Sequence, residues 1–180
     1  MKGTLLFLWE IAKIVVISLM IVLPIRYFVF QPFLVRGESM EPNFQDGDYL
    51  IVDEISYRFG SPQRGDVIVF YSPTMPSQRF IKRILGLPGE EVVIENGIIE
   101  VKGEEGVQVL DESDYLSGAE TIGDVKVFLG EGEYFVLGDN RDSSYDSRRW
   151  GPLQEEEIIG RVSLKAWPVV AFSIIETPAY

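Results

Sequence analysis

This 180-residue chain contains no histidine and no cysteine. Without an imidazole, a nucleophilic serine must take its base elsewhere, so Ser-His-Asp chemistry is excluded. Without thiols there are no disulfides, and the redox compartment stays unspecified. A zinc site would lack its usual ligands, so neither a metal nor another cofactor is expected. Basic charge is scarce too: 16 Lys and Arg stand against 28 Asp and Glu, a net charge of −12. From Gln31 onward the counts are 13 basic and 27 acidic, a field that repels phosphate backbones and excludes nucleic acid as a partner. Internal repeats are absent.

Long apolar runs are confined to the N-terminus. The charge-free run Ile14 to Ile25 is too short to span a bilayer by itself, since about 20 residues are needed. Extended back to Leu5 and on to Phe30, the segment is apolar apart from Glu10 and Lys13. These two stand three apart on one helical face and can pair, which lowers the cost of burying both. The reading is one membrane helix from about Leu5 to Phe30, bent or ended near Pro24. A cleavable leader would need small residues after the apolar run, whereas the chain reads L-P-I-R-Y-F there. Basic residues fall on both sides (Lys2 and Lys13; Arg26 and Arg36), so charge does not orient the helix.

Beyond this anchor the pattern is of short apolar stretches between Gly and Pro turns, an all-β signature. Strands are expected at Phe33–Val35, Tyr49–Asp53, Asp66–Tyr71, Phe80–Leu85, Glu91–Glu95, Ile98–Lys102, Val107–Leu110, Lys126–Leu129, Tyr134–Leu137 and Gly160–Trp167, with a helical turn at Glu155–Ile159. Asn96-Gly97 is the strongest hairpin signal. Composition shifts twice: residues 92–130 are acidic, dotted with glycine and poor in aromatics. The expected organisation is an anchor (1–31), a β body of coiled antiparallel sheets (32–91 and 131–180) and a small β insertion (92–130).

The chemistry-bearing stretch is V-R-G-E-S-M-E-P-N-F-Q-D-G, Val35 to Gly47. An apolar strand runs into a bend that Pro42 keeps irregular, holding the Ser39 hydroxyl on a loop at the end of a rigid element. Taken alone, such a bend is an ordinary turn. With imidazole absent, a lysine held neutral is one possible base. In F-I-K-R-I-L, alternation places Lys82 on one face with Phe80 and Ile84, and Ile81, Arg83 and Leu85 on the other. Apolar flanks strip water from an ammonium and lower its pKa. Lys126 and Lys165 have similar strand surroundings, and the strand pattern does not choose among the three.

A resemblance to a known family, carried by three boxes taken together, makes the choice. G-E-S-M-E-P around Ser39, R-F-I-K-R-I-L-G-L-P-G around Lys82 and G-D-N-R-D-S-S-Y-D-S-R from Gly138 to Arg148 occur in this order behind an apolar segment. The chain resembles the bacterial type I signal peptidases over nearly its whole length. That resemblance implies a membrane-bound serine endopeptidase that removes signal peptides from exported preproteins. It implies Ser39 as nucleophile and neutral Lys82 as general base, with the N-terminus in the cytoplasm and the rest outside the cell membrane. The expected partners are signal peptides and the lipid bilayer.

The resemblance also implies supporting roles: Ser144 as a hydrogen-bonding positioner of the amine, Asp146 and Arg148 as a buttressing ion pair, and Asp139 and Arg141 around them. Gly37 stands where some relatives carry a serine that donates to the oxyanion, which leaves the second donor open. Shallow pockets for small residues, one and three places before the cut, are expected from Phe33, Val35, Met40, Phe44, Leu50 and Ile81. The competing class is a membrane-tethered β module that binds partners without chemistry.

Overall fold

The computed structural model describes residues 2–28, 30–104, 106–116, 118, 121–178 and 180. Helix α1 runs Lys2–Phe28, 27 residues, or roughly 40 Å at the α-helical rise. It passes through Pro24 and hands over almost directly to a strand. Lys13 and Glu10 pair at 2.8 Å, as their spacing predicts. Every residue from Phe7 to Val22 is exposed, so no face of this stretch is covered by protein. Over the part of α1 whose side chains are described, the longest run is 7–22, and among these described residues no helix is long and apolar enough to cross a membrane. The side chains of residues 23–30, Arg26 among them, and of Lys2, Leu5 and Leu6 lie outside the described set.

Twelve strands follow among the described residues: β1 (Phe30–Leu34), β2 (Tyr49–Asp53), β3 (Val67–Tyr71), β4 (Arg79–Gly86), β5 (Glu91–Glu95), β6 (Ile98–Gly103), β7 (Gly106–Val109), β8 (Val125–Phe128), β9 (Glu133–Leu137), β10 (Leu153–Gln154), β11 (Ile158–Trp167) and β12 (Ser173–Ile174). Two four-residue helices, α2 (Ser56–Phe59) and α3 (Ser147–Trp150), interrupt them. The mostly β expectation holds, with all pairings antiparallel. β1 begins three residues ahead of the expected Phe33, so Phe30 and Gln31 belong to the sheet. Pro32 fits inside β1 because β1 is an edge strand, where a missing N–H breaks no ladder.

The larger sheet has the order β1-β2-β11-β3-β4-β9-β10, with β12 on β11. Ten-residue β11 carries register shifts between Ile158 and Gly160, Val162 and Leu164, and Lys165 and Trp167. Such bulges bend and coil a strand, and the coil lets β11 serve β2, β3 and β12 in turn. The smaller sheet, β7-β6-β5-β8, is the chain between β4 and β9. Its β5–β6 hairpin closes through Asn96 (φ 52) and Gly97 (φ 81), two left-handed residues that twist with the strands.

Three apolar clusters hold the body. One packs Val35, Met40, Phe44, Leu50, Val52, Val69 and Ile81 beneath the Ser39 loop. Another packs Ile68, Phe70, Ile84, Tyr134, Val136 and Leu153 on the other face of the large sheet. The third joins the sheets: Leu85, Phe135 and Leu137 meet Val92, Ile94, Ile99, Val101, Leu110 and Leu129. Each fully buried aliphatic or aromatic side chain contributes about 1.5–3 kcal/mol, so the small sheet is fastened to the strand that carries Lys82.

Candidate active site

The loop bearing Ser39 is closed at its base and pinned from below. Val35 N–H donates to the Asp48 carbonyl at 2.9 Å, and Gly47 N–H donates to the Val35 carbonyl at 3.1 Å. Met40 and Phe44 point from the loop into the core. Gly37 takes φ +85, a left-handed conformation that glycine adopts without a Cβ penalty, and its N–H donates to Asp46 Oδ1 at 2.7 Å. From above, Asn140 N–H donates to the Ser39 carbonyl at 3.1 Å and Asn140 Nδ2 donates to the Glu38 carbonyl at 3.0 Å.

β4 brings Lys82 to this loop. Lys82 pairs across the ladder with Ile68, Phe80 with Phe70, so the face on which alternation places Lys82 is the face of the Ile68–Phe70–Ile84 cluster. Only 3% of the residue is exposed. Its Nζ lies 2.7 Å from Ser39 Oγ and donates to the Ile81 carbonyl at 2.8 Å. Burial brings the amine down to about 8, against a smaller upward pull from Asp146 and Asp139. Both carboxylates are occupied. Arg83 Nε and Nη2 donate to Asp139 at 2.9 and 2.7 Å; Arg148 Nε and Nη2 donate to Asp146, both at 2.9 Å. Two countered carboxylates leave no bare negative charge to hold Lys82 protonated.

The other two strand lysines behave differently. Lys126 is surface-exposed beside Glu91, at 3.3 Å. Lys165 is buried but spends its ammonium on Asp48 Oδ2 at 2.7 Å and on the Asn43 carbonyl at 2.8 Å.

The 138–148 loop supplies the remaining parts. Asp146 N-caps α3 and accepts from Gly138 N–H at 3.1 Å. Its pKa lies below the usual carboxylate range: burial pushes it up, but the Arg148 hydrogen bond and charge push it down further. Gly138 has no room for a Cβ, which would overlap the Ser39 carbonyl oxygen and the Ser144 side chain. Ser144, expected to hold the amine, is buried there, and its Oγ has no hydrogen-bond partner among the described residues. It sits close enough to Asp146 to favour the charged carboxylate, while the Lys82 amine is met by Ser39 and Ile81. Arg141 turns away from Ser39 and Lys82: its Nε donates to the Gly138 carbonyl at 3.0 Å, and its guanidinium clamps Glu112 of the small-sheet segment.

A cleft of about 590 Å³ opens over the pair, lined by residues including Pro32, Phe33, Leu34, Gly37, Ser39, Phe80, Ile81 and Lys82. Phe33 and Ile81 are among the six expected pocket residues. The other four, Val35, Met40, Phe44 and Leu50, are instead core, each at most 2% exposed. They point inward from the loop and β2, and support the cleft floor without reaching its surface. Arg83 was not among the expected site residues, although alternation places it between Ile81 and Leu85, and an interior arginine demands a carboxylate. Asn43, which bridges Asp139 Oδ2 at 2.8 Å and the Tyr115 carbonyl at 2.9 Å, carries no such signal.

Residues 8–167 match the sequence profile of the family described as signal peptidase, peptidase S26. The chain belongs to this family. It is an enzyme, a serine peptidase of the signal peptidase I type. The chain is 39% identical over 178 residues to "Probable signal peptidase I-2" of Synechocystis sp., covering 94% of this chain and 78% of that one. It is 38% identical over 172 residues to "Signal peptidase I" of Leptolyngbya laminosa, covering 90% of this chain and 81% of the relative. A crystal structure of a signal peptidase I from Enterococcus faecalis V583 is also similar, with 32% identity and a TM-score of 0.48 over 57% of this chain and 97% of that one. The Ser39–Lys82 contact lies where the G-E-S-M-E-P and R-F-I-K-R boxes meet.

Proposed function

We propose that this signal peptidase cleaves preproteins with Ser39 as nucleophile and neutral Lys82 as general base, and that α1 anchors it in the cell membrane. One observation carries the reading: an amine buried among apolar side chains, brought down to about 8, at 2.7 Å from a serine hydroxyl. With the amine neutral, the hydroxyl proton turns to the Nζ lone pair across that distance. Ser39 Oγ attacks the scissile carbonyl carbon as its proton passes to Nζ. The tetrahedral oxyanion collapses, the C–N bond breaks, and the Lys82 ammonium returns the proton to the leaving amine. Water then attacks the ester with the same amine as base, releasing the leader's carboxylate and restoring the Ser39 hydroxyl.

The Ser39 N–H has no hydrogen-bond partner among the described residues and is placed to serve as an oxyanion donor. Gly37 N–H is not its companion, being engaged by Asp46. The peptide enters as an added strand. β1 is a sheet edge, and β4 has no β9 partner until Arg83, so the backbone of Arg79–Lys82 is open on the cleft side. Phe33 and Ile81 form apolar walls, which favour small residues before the cut.

The anchor reading rests on a 27-residue helix whose stretch Phe7–Val22 exposes its apolar side chains all round, with Glu10 neutralised by Lys13. The N-terminus lies in the cytoplasm and the catalytic body outside. The organisation is anchor (1–31), catalytic body (32–91 and 131–180) and β insertion (92–130).

The test uses the full chain in detergent and a peptide whose leader ends in Ala-X-Ala. Ser39→Ala and Lys82→Ala each abolish cleavage, and the rate rises with pH to a plateau above about 8. Cleavage that survives Lys82→Ala, an acidic optimum, or block by chelators overturns the mechanism.

A further inference from the structure

The dyad chemistry gives no task to the segment that follows β12, yet its contacts converge on the residue next to Lys82. Ile175 N–H donates to the Ser163 carbonyl at 3.0 Å, extending β12 along β11. Thr177 Oγ1 then donates to Asp66 Oδ1 at 2.9 Å. Pro178 and Thr177 press on Gly65, where a Cβ would stand 2.9 Å from Pro178 Cδ and 3.0 Å from Thr177 Cγ2. Gly65 is joined to β4 twice: its N–H donates to the Ile84 carbonyl at 2.8 Å, and its carbonyl accepts from Arg83 Nη1 at 3.0 Å.

Tyr180 reaches the same arginine from another direction. Its hydroxyl lies 2.8 Å from the Tyr115 hydroxyl, and the rings meet edge to face at 6.2 Å. Tyr115 donates its own proton to the Glu112 carboxylate, so Tyr180 is the donor to Tyr115. The Tyr115 ring in turn lies under the Arg83 guanidinium, 4.0 Å from ring centroid to Cζ, a cation–π contact that is strong when desolvated. Arg83 holds Asp139 through two hydrogen bonds.

We propose that Ile175–Pro178 and Tyr180 form a positioning strap, which holds Arg83 against Asp139 through Tyr115 and Gly65 and thereby fixes the charge balance around Lys82. The proposal rests on the Ser39–Lys82 reading. The charged groups that act on Lys82 are Asp139 and Asp146, countered by Arg83 and Arg148. When Arg83 loosens, Asp139 is less countered, the ammonium form gains and the base is supplied only at higher pH. Tyr180 and Thr177 touch no substrate; they act through Arg83.

The experiment compares the full-length protein in detergent with Tyr180→Ala, Tyr180→Phe and Thr177→Val, using an Ala-X-Ala leader peptide. Tyr180→Ala is expected to lower kcat about tenfold with KM little changed, and to move the acidic limb of the pH–rate profile upward by roughly half a unit. Tyr180→Phe, which keeps the ring, and Thr177→Val fall between it and the parent. If Tyr180→Ala does not fold, these two milder variants carry the test. A lower melting temperature with kcat and the limb unmoved overturns the strap, as does an effect confined to KM. Lys82→Ala is measured alongside: if it still cleaves, the dyad reading fails and the strap with it. If it is inactive while the limb of the strap variants stays fixed, the strap alone fails.

Discussion

Lys82 and Lys165 are both buried strand lysines, and of the two only Lys165 meets a carboxylate, Asp48 Oδ2 at 2.7 Å. Lys82 meets a hydroxyl and a carbonyl. On the proposed mechanism this difference in partners separates a base from a brace, and it gives opposite expectations for their removal.

For Lys82 the expectation is lost activity with gained stability. An ordinary lysine titrates near 10.5 and this one at about 8. Below pH 8 both folded and unfolded chains hold the proton, and the full cost of burying the ammonium is present. Between 8 and 10.5 the unfolded chain binds a proton the folded one has released, so stability rises with pH across that window. Lys82→Met keeps the shape without the charge. At pH 7 it should be more stable than the parent by about 3 kcal/mol, with the gap closing between pH 8 and 10.5. Urea unfolding at several pH values measures this; a gap that does not change with pH contradicts it.

Removing Lys165 should do the reverse. Lys165→Ala leaves the Asp48 carboxylate buried without its cation and the Asn43 carbonyl without a donor. A broken buried pair costs about 3–5 kcal/mol. Thermal unfolding should fall accordingly, while kcat well below the transition stays within about threefold of the parent. Activity lost at an unchanged melting temperature would give Lys165 a part in the chemistry instead.

Much of this was legible in the sequence, and the gaps have physical causes. Strand cores such as Tyr49–Asp53 and Glu91–Glu95 are reproduced because alternation and Gly/Pro punctuation agree there. The two-residue strands β10 and β12 carry too few residues to show a period. Ser39 and Lys82 are singled out by the family resemblance that the three boxes carry, and their side chains meet at 2.7 Å; the strand pattern alone leaves three lysines open. Val35, Met40, Phe44 and Leu50 were misplaced into the cleft because an apolar residue in the Ser39 loop or on a neighbouring strand can face either core or substrate. The Glu112–Arg141 clamp joins parts of the chain that no local pattern connects.

Gly138→Ala tests how closely the third box must approach Ser39. An added Cβ overlaps the Ser39 carbonyl oxygen and the Ser144 side chain. The loop cannot retreat easily, because Gly138 N–H is bonded to Asp146 and its carbonyl to Arg141. The expected result is a fall in kcat of about a hundredfold, with the circular-dichroism spectrum retained and stability lower by about 1–3 kcal/mol. A near-normal kcat would show that Ser39 is placed by its own loop alone.

Asp139→Asn probes the field at Lys82 with a sign opposite to that of the strap. Asp139 favours the charged form of Lys82, so its neutralisation lowers the lysine pKa further, and an uncountered Arg83 pushes in the same direction. The acidic limb of the pH–rate profile should therefore move to lower pH, whereas loosening Arg83 by Tyr180→Ala moves it to higher pH. Stability should fall by about 3–5 kcal/mol, since Arg83 is left buried without its carboxylate, so the profile is best taken at low temperature. Because a general loss of order would drag both variants the same way, limbs that shift in the same direction would remove Asp139 and Arg83 from the control of the base.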